Sequence, residues 1–236
     1  MSMCAMLRGV WTSEQSTIAG YLAEVETMKI VIPFKKENAK SRLSGILTPD
    51  ERCALAMEML YDVIDATGGF HVDVLTSSLL NSASIDSHTL LSDQGLNEAL
   101  NDYLSLVAEH GCDPVMIVMA DLPLIKSRHV KEIAGSEADV VIAPGKGGGT
   151  NILCIKDPSR FRVDYYGTSF LDHLQIARDN GLSVEVYDSF AAATDIDEPE
   201  DIVELLIHGD CRSSLMLADL GFVVAVRDGR AAVERS

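Results

Sequence analysis

The chain has 236 residues, of which 47% are hydrophobic and 23% are charged. These values are typical of one ordinary globular unit, and they exclude a disordered, collagen-like or coiled-coil protein. No apolar run approaches the roughly 20 residues that a membrane-spanning helix requires, so no membrane partner is expected. The formal net charge is -17 at pH 7. This charge would repel nucleic acid, and an anionic ligand would need metal ions or a local cluster of cations.

The five cysteines are scattered and form no C-x-x-C pair. This pattern argues against a disulfide framework or a zinc site and fits a reducing cytoplasm. Residues 1–27 lack the charged and apolar pattern of a secretory signal and are predicted to be an N-terminal extension. The sequence predicts a main domain over residues 28–208 and a C-terminal appendage over residues 209–236.

From Lys29 onward, short apolar strands alternate with amphipathic helices. The predicted strands, in chain order, are KIVIPF, FHVDVLTS, PVMIVMADL, ADVVIAP, NILCIK and LSVEVYD. The segment Thr48-Pro49-Asp50-Glu51 reads as a capping box that opens the first helix. Further helices are predicted over residues 96–110, 127–134, 169–180 and 198–208. This alternation predicts an α/β fold with a mainly parallel sheet and helices on both faces.

The pattern changes after His208. The segment SSLMLADLG predicts a short helix, and FVVAVRDGRAAVER contains two alternating runs around Asp228-Gly229, which predict a C-terminal β-hairpin. An isolated hairpin is marginally stable in water, so it must either extend the chain's own sheet or pair with another subunit. We expect the second arrangement, which would make the protein a homodimer.

Four cations follow the first predicted strand, namely Lys35, Lys36, Lys40 and Arg42. In doubly wound sheets the carboxyl ends of the strands face the ligand crevice. A solvated loop could have the same composition. The position after a buried strand, in a chain that is otherwise strongly acidic, favours a phosphate-binding site.

Three aspartates are candidate ligands of a hard cation. Asp121 follows the apolar run VMIVMA and should emerge at the carboxyl edge of a central strand. Asp195 and Asp197 alternate in an extended stretch, so both can face one ion while Ile196 packs inward. Magnesium takes one or two carboxylates together with phosphate oxygens. The alternatives are a turn residue at Asp121 and a helix cap at Asp197.

Two further segments could bind anions. The loop PGKGGGTN allows a ligand to approach its backbone closely, although a plain hairpin loop is equally compatible with it. It is neither a Walker loop nor a dinucleotide fingerprint. The segment YGTSF opens a predicted helix and offers hydroxyl and N–H groups, while Ser169 alone could be a helix cap. The chain contains no nucleophile elbow and no zinc-protease motif.

Taken in order, the segments IPFKKENAKSRL, GLNEAL, ADLP, GGTN, YGTSF and DIDEPEDI closely resemble the 2-phospho-L-lactate guanylyltransferases of deazaflavin coenzyme biosynthesis, known from methanogenic archaea and some bacteria. The resemblance covers residues 28–208. It implies a nucleotidyltransferase fold of the glycosyltransferase-A type, with GTP and a phosphorylated three-carbon acid as substrates. It also implies two Mg²⁺ ions.

The resemblance assigns roles to individual residues. The implied metal ligands are Asp121, Asp195 and Asp197. The implied phosphate-binding cations are Lys35, Lys40 and Arg42, and the implied catalytic set is Lys35, Arg42 and Asp121. The residues implied to hold the acid are Thr150, Gly167 and Ser169. Asn97 is implied to lie near the nucleoside. An ionised acceptor phosphate already carries its nucleophilic oxygen, so the implied reaction needs no general base.

The chain departs from the wider superfamily in two places. Pro-Phe-Lys-Lys stands where the glycine-rich Gly-Gly-x-x-x-Arg signature is expected, so the triphosphate must be held differently. Gly167 and Ser169 are also closer in sequence than in many relatives. Two other functions stay compatible with the residues: nucleotidyl transfer to another phosphate, such as a sugar phosphate or molybdopterin, and ligand binding without catalysis. Phospholactate, phosphoenolpyruvate and phosphoglycerate all carry the groups that such a site would bind.

Overall fold

The computed structural model describes residues 28–36, 39–80, 88–111, 113–227 and 229–236, so the predicted extension over residues 1–27 lies outside them. The strands of the main sheet are β1 (Lys29–Phe34), β2 (His71–Thr76), β3 (His88–Leu91), β4 (Val115–Val118), β5 (Val140–Pro144), β6 (Thr150–Ile155) and β7 (Val184–Val186). Their spatial order is β3-β2-β1-β4-β6-β5-β7. All neighbours pair in parallel except β6, which is antiparallel to β4 and β5. The predicted mainly parallel sheet is confirmed.

The helices are α1 (Pro49–Ala66), α2 (Leu96–Glu109), α3 (Ser127–Ala134), α4 (Ser169–Asp179), α5 (Phe190–Ala193), α6 (Pro199–His208) and α7 (Arg212–Asp219). The predicted capping box is present at the start of α1. The backbone N–H of Glu51 donates to Thr48 Oγ1 at 3.3 Å, and the backbone N–H of Thr48 donates to the Glu51 carboxylate at 2.9 Å. Because two otherwise unpaired N–H groups gain partners, the capping box fixes where α1 begins.

Strand β3 and helix α5 were not predicted. Strand β3 is a four-residue edge strand (HTLL), and α5 has only four residues (FAAA). Neither segment is long enough to show a hydrophobic period. Both elements owe their positions to tertiary neighbours rather than to their own sequence pattern.

Alternate residues of β1 pack against helices on opposite faces of the sheet. Ile30 and Ile32 belong to a buried cluster with residues of α1 and α3, whereas Val31 belongs to a second cluster with residues of α2 and α4. All three side chains are fully buried. Successive side chains of a strand point to opposite faces, so a continuous apolar run is what a doubly covered strand requires. Helices therefore cover both faces, as predicted.

The C-terminal hairpin forms its own two-stranded antiparallel sheet from β8 (Phe222–Arg227) and β9 (Arg230–Arg235). The alternative, in which the hairpin extends the chain's own main sheet, is therefore wrong. At the predicted turn, Gly229 has φ of 76°, a left-handed conformation that suits glycine; Asp228 lies outside the described residues. A two-stranded sheet is only marginally stable on its own in water, so contacts with the rest of the chain stabilise it.

The C-terminal segment contacts the rest of the chain in two ways, through apolar side chains at the hairpin and through hydrogen bonds at α7. Phe222 is buried in a third cluster together with residues of α1, α6 and α7. The buried Asp62 carboxylate of α1 accepts hydrogen bonds from the backbone N–H of Arg212 (2.8 Å) and of Ser213 (3.0 Å) at the start of α7. A carboxylate at this position satisfies free N–H groups and favours the helix dipole. The predicted boundary between the main domain and the C-terminal appendage at residue 208 stays a prediction. Residues on both sides of this boundary belong to the third hydrophobic cluster.

No helix of the described ranges is long and apolar enough to cross a membrane.

Candidate active site

Strand β6 runs antiparallel to β4, so its amino end lies beside the carboxyl ends of β1 and β4. The site lies at these strand ends. The first acidic residue, Asp121, follows β4 there. Its backbone carbonyl accepts a hydrogen bond from the N–H of Ile196 at 3.0 Å. This bond holds the segment that contains Asp195 and Asp197 beside the end of β4, so residues 75 positions apart in sequence form one site.

The centre of the site is the ammonium group of Lys40. Its Nζ lies 2.7 Å from Asp121 Oδ2 and 2.6 Å from Asp197 Oδ1, and its side chain is only 9% exposed. The Lys40 backbone is left-handed, with φ of 52° and ψ of 44°. This conformation costs a non-glycine residue roughly 1–2 kcal/mol. The two charge-assisted hydrogen bonds offset that cost and direct the ammonium between the carboxylates.

The two carboxylates that contact Lys40 stabilise its charged form. Burial by itself would lower the pKa of Lys40, but the charges of Asp121 and Asp197 and the hydrogen bonds to both outweigh burial, so the pKa is raised above its usual value. Lys40 is therefore a permanent cation at neutral pH.

Asp195 lies beside this ion cluster and is bound to an amide rather than to a cation. Its Oδ1 accepts a hydrogen bond from Asn151 Nδ2 at 3.2 Å, and the same amide donates to the carbonyl of Ala192 at 2.9 Å. Burial, followed by the negative charge of Asp121, raises the pKa of Asp195. Ile196 is fully buried between the two aspartates, as predicted. The environment of Asp195 thus favours the approach of a further positive charge.

Asp197 does not cap the helix that follows it. The N-cap of α6 is Glu198, and the Asp201 carboxylate accepts the backbone N–H groups of Asp197 (3.0 Å) and Glu198 (2.8 Å). Asp201 thereby completes the capping box at the start of α6. The Asp197 carboxylate is left to face Lys40 and, at 3.4 Å, Arg42 Nη1.

The donor set fits a hard divalent cation. Two carboxylates already converge on a single positive charge, and a third partly buried carboxylate lies beside them with a raised pKa. Oxygen ligands of this kind suit magnesium. Within the described ranges, no group of three or more His, Cys, Asp or Glu side chains is arranged around one point for a metal ion. Metal entry would therefore require Lys40 to release at least one carboxylate.

Two clefts open beside the ion cluster. One, of about 200 Å³, is lined by Lys35, Lys40, Asp121 and Asp197 among others. The other, of about 390 Å³, lies over the ends of β1 and β2 toward α2, and its polar lining includes Lys35 and Asp93. Lys35 borders both clefts. Arg42 is largely exposed, with 66% of its side chain accessible, so it has little role in packing.

The residues predicted to hold the acid gather around a buried histidine. Thr150 and Ser169 are buried, and His173, one turn after Ser169 on α4, is fully buried. The Nε2 atom of His173 accepts the backbone N–H of Asp164 at 3.0 Å, so the ring proton belongs on Nδ1, which donates to Thr150 Oγ1 at 2.9 Å. Burial lowers the pKa of His173 to about 4. The ring therefore stays neutral near pH 7, and the hydroxyl proton of Thr150 is free to donate to a ligand.

The loops on either side of this histidine are tied together. The N–H of Phe170 donates to the carbonyl of Gly148 at 3.2 Å, and Gly167 adopts a left-handed φ of 74° that suits its position in the turn. Asn97 joins the same region, since its amide oxygen accepts the N–H of Tyr165 (2.7 Å) and its amide nitrogen donates to Asp164 (2.9 Å). Asn97 is not among the residues that line the 390 Å³ cleft. Its predicted place near the nucleoside stays a prediction.

Sequence reasoning assigned no role to Asn151 or His173 in the site. A signal was present for both: Asn151 follows Thr150 in the GGTN segment, and His173 lies four positions after Ser169, on the same face of α4. The pairing of Lys40 with Asp121 and Asp197 was also unexpected, because it joins residues 81 and 157 positions apart.

Comparison with known proteins places the chain among nucleotidyltransferases. The family model described as "Guanylyl transferase CofC like" matches residues 28–236, which extends the resemblance beyond residue 208 to the C-terminal segment. A 2-phospho-L-lactate guanylyltransferase of Methanosarcina mazei is 54% identical over 186 residues, covering 77% of this chain and 88% of that protein. The protein of the same name from Halorubrum lacusprofundi is 43% identical over 219 residues, covering 88% of this chain and 100% of its own.

Solved structures agree on the fold. The crystal structure of a protein from Desulfovibrio desulfuricans G20 that is described as a nucleotide-diphospho-sugar transferase superposes with a TM-score of 0.69 at 15% identity, covering 82% of this chain and 95% of that one. A CMP:2-keto-3-deoxy-manno-octonic acid synthetase complexed with CTP gives 0.51 at 12% identity, covering 83% and 100%. The expected nucleotidyltransferase fold is confirmed. By its fold and by its match over residues 28–236, the chain belongs to the CofC-like guanylyl transferase family of nucleotidyltransferases.

Proposed function

We propose that this protein joins GTP and 2-phospho-L-lactate to give lactyl-2-diphospho-5′-guanosine and pyrophosphate. The observation that carries the proposal is the buried Lys40 ammonium between Asp121 and Asp197, at a sheet edge flanked by an open cleft on one side and by the Thr150–His173 pair on the other. The names of relatives with 43% and 54% identity support the choice of substrates.

The nucleoside fits the 390 Å³ cleft. Its apolar lining, which includes Phe34, Leu75 and Met119, suits the faces of a purine ring. Asp93 supplies a carboxylate acceptor in the same lining. Guanine presents adjacent donors at N1 and at its exocyclic amino group, so a carboxylate acceptor matches guanine better than adenine, whose N1 is itself an acceptor. This chemistry supports GTP as the nucleotide.

Asp121, Asp195 and Asp197 would hold Mg²⁺, and the family resemblance implies two ions. Bound magnesium would supply neutralisation of phosphate charge. The residues of the chain provide the rest of the charge balance, since Lys40 can turn from the carboxylates toward the α-phosphate while Lys35 and Arg42 face the departing phosphates. Positioning and charge stabilisation of this kind are the main requirements of phosphoryl-group chemistry.

The acceptor would bind at Thr150 and Ser169. The hydroxyl proton of Thr150 is free to donate to a carboxylate or phosphate oxygen, because its Oγ1 already accepts from His173. An oxygen of the acceptor phosphate then bonds to the α-phosphorus, the bond from that phosphorus to the bridging oxygen breaks, and pyrophosphate leaves with the electron pair. No proton has to move, so no side chain acts as a general base.

The direct test measures pyrophosphate release from each nucleoside triphosphate with phospholactate, phosphoenolpyruvate and phosphoglycerate in competition. We expect release with GTP, with phospholactate as the preferred acid. Pyrophosphate release only when a sugar phosphate or molybdopterin is supplied instead would show that the acceptor is not a phosphorylated three-carbon acid. Tight ligand binding without release from any combination would indicate a non-catalytic binding protein and overturn the proposal.

We also propose that the chain is a homodimer joined through the hairpin. One face of the hairpin begins with Phe222 in the core and continues through Val224 to Val226, whose side chains are 39% and 78% exposed. The other face carries the Arg227–Glu234 ion pair together with the exposed Val223. A second copy would cover the apolar continuation.

Truncation after Gly209 should therefore abolish the dimer and lower thermal stability, because it also removes the α7 contacts with Asp62. Light scattering on the full and truncated chains measures the first effect. Val226→Glu is a milder variant, which should weaken the dimer and leave the buried Phe222 in place. A full-length monomer at micromolar concentration, or a truncated chain that still dimerises, would contradict the prediction.

A further inference from the structure

We propose that His173 is a positioning residue for the acceptor, and that its ring fixes the Thr150 hydroxyl as a hydrogen-bond donor to the phosphorylated acid. The inference rests on the proposed function, because that function places the acid at Thr150 and Ser169. His173 itself is fully buried, so it acts through Thr150, whose Oγ1 lies 2.9 Å from the Nδ1 atom of the ring.

A β-bulge directs Thr150 toward His173. From Ile152 to Thr150, β6 advances by two residues while its partner β5 advances by one, so Asn151 is an extra residue. The Asn151 amide donates to the carbonyl of Ala192, which belongs to the same buried cluster as Ile152. Regular alternation would place Thr150 on that face as well, whereas it contacts His173 of α4 on the opposite face. Bulges often lie next to active sites, where they redirect a side chain.

The tautomer of the ring decides which way the hydroxyl proton points. The backbone N–H of Asp164 can only donate, so the Nε2 atom that accepts it carries no proton, and Nδ1–H faces Thr150. Burial lowers the pKa of His173 to about 4, so this neutral form persists at neutral pH. A hydroxyl has a single proton, and Thr150 Oγ1 already accepts from the ring. The proton is therefore directed away from His173, toward a ligand.

The segment that carries the Asp164 N–H is anchored to two successive turns of α2. Asn97 accepts the backbone N–H of Tyr165 at 2.7 Å, and Asn101 accepts that of Val163 at 2.9 Å. Asn97 also donates to the Asp164 carboxylate at 2.9 Å. The N–H group that sets the tautomer is thus held in place by side chains on both sides of it.

Packing alone does not account for a histidine at this position. The centroid of the His173 ring lies 4.9 Å from that of Tyr165, edge-on, and 5.9 Å from that of Phe161. An apolar side chain of similar size would make these contacts without burying two polar nitrogens, which is unfavourable unless both are paired. What the histidine adds is the hydrogen bond that orients Thr150.

A second hydroxyl lies close to the first. Ser169 is one turn before His173 on α4, and a Cβ atom on Gly149 would lie 4.0 Å from Ser169 Oγ. Gly149 immediately precedes Thr150, so both hydroxyls border the end of the glycine-rich loop. A carboxylate or phosphate group has enough acceptor oxygens for both donors.

Two variants of His173 separate positioning from packing. His173→Asn places an amide nitrogen near the position of Nδ1, so it can still donate to Thr150. His173→Gln is longer, and its amide reaches the position of Nε2, so it can still accept from the Asp164 N–H but no longer donates to Thr150. Both variants lose the aromatic ring, so they serve as matched controls for the loss of packing.

Steady-state pyrophosphate release measures the KM for each substrate. We expect His173→Gln to raise the KM for phospholactate at least about tenfold and His173→Asn to raise it less than about threefold, because only the first loses the oriented donor to a charged ligand. The KM for GTP should change less than about twofold in both variants, since GTP does not use this hydroxyl. A purely structural role would move both variants equally.

Thr150→Val extends the test to a double-mutant cycle. Without the hydroxyl, His173→Gln should cause no further rise in the KM for phospholactate, because the two residues act through one hydrogen bond. Equal effects of the Asn and Gln variants, or additive effects of the Thr150 and His173 substitutions, would overturn the inference and leave the proposed function intact. No pyrophosphate release by the natural protein with GTP and any of the three acids would overturn both.

If His173→Gln fails to fold, as judged by thermal unfolding, long-range nitrogen–proton NMR of the natural protein reads the ring tautomer directly. The His173 signal is identified by its loss in His173→Asn. We expect the Nδ1–H form at neutral pH and a shift of the Nδ1 resonance when phospholactate is added. An Nε2–H form, or an Nδ1 resonance that saturating phospholactate does not move, would contradict the positioning role.

Discussion

Asp121→Asn is expected to lower the rate of pyrophosphate release at least about a thousandfold while the protein stays folded. The substitution keeps the size of the side chain and removes one of the two charges that face Lys40. It also removes a proposed magnesium ligand, whose loss should cost several kcal/mol of transition-state stabilisation, at about 1.4 kcal/mol for each factor of ten. Steady-state rates at saturating magnesium, together with a thermal unfolding curve, measure both effects.

Asp113→Asn provides the matched control for this variant. Asp113 lies just before β4, at the opposite end of the same strand, and its carboxylate is 3.6 Å from Lys29 Nζ in a partly exposed ion pair. Surface pairs of this kind contribute about 0–1 kcal/mol, so both rate and stability should stay near those of the natural protein. Near-normal activity of Asp121→Asn at saturating magnesium would show that Asp121 is a turn residue and not part of the catalytic machinery.

Local patterns in the sequence were sufficient to predict most of the fold. The apolar run KIVIPF predicts a strand buried on both faces, and Ile30 and Val31 indeed pack in separate clusters. The Thr48 capping box fixes the start of α1 because its hydrogen bonds are local. The hairpin turn at Gly229 is also local. Its separation from the main sheet is not, because that depends on how Phe222 packs against helices distant in sequence.

The sequence indicates which residues are candidates for the site, but it does not indicate which of them contact one another. Strand ends and the spacing of Asp195 and Asp197 indicate which carboxylates face the crevice. The position of Lys40 depends instead on a left-handed backbone, which no pattern in the sequence requires of a lysine. Asn151 and His173 act through hydrogen bonds to residues 44 and 23 positions away. Such polar contacts need the assembled fold, whereas hydrophobic periodicity can be read from a single segment.

Lys40→Met is expected to lower the rate of the reaction about 10²–10³-fold, as is found for the loss of one preorganised electrostatic contact. It should also strengthen the binding of a divalent cation to the protein without nucleotide. In the natural protein the Lys40 ammonium already lies between Asp121 and Asp197, so an entering cation must displace it. In the variant, neighbouring carboxylates remain without their buried counter-ion, and like charges at short range favour any cation that enters between them.

Titration with Mn²⁺, followed by its electron paramagnetic resonance signal, measures this affinity independently of activity. Without metal the variant should unfold at a lower temperature than the natural protein, because it removes the buried counter-ion that both carboxylates share. Added Mg²⁺ should raise its unfolding temperature more than that of the natural protein, since a ligand stabilises the folded state according to its affinity. Lys29→Met is the matched control, because Lys29 forms its ion pair with Asp113 at the other end of β1. Mn²⁺ binding that is unchanged or weaker in Lys40→Met would show that Lys40 does not occupy the position of the metal ion.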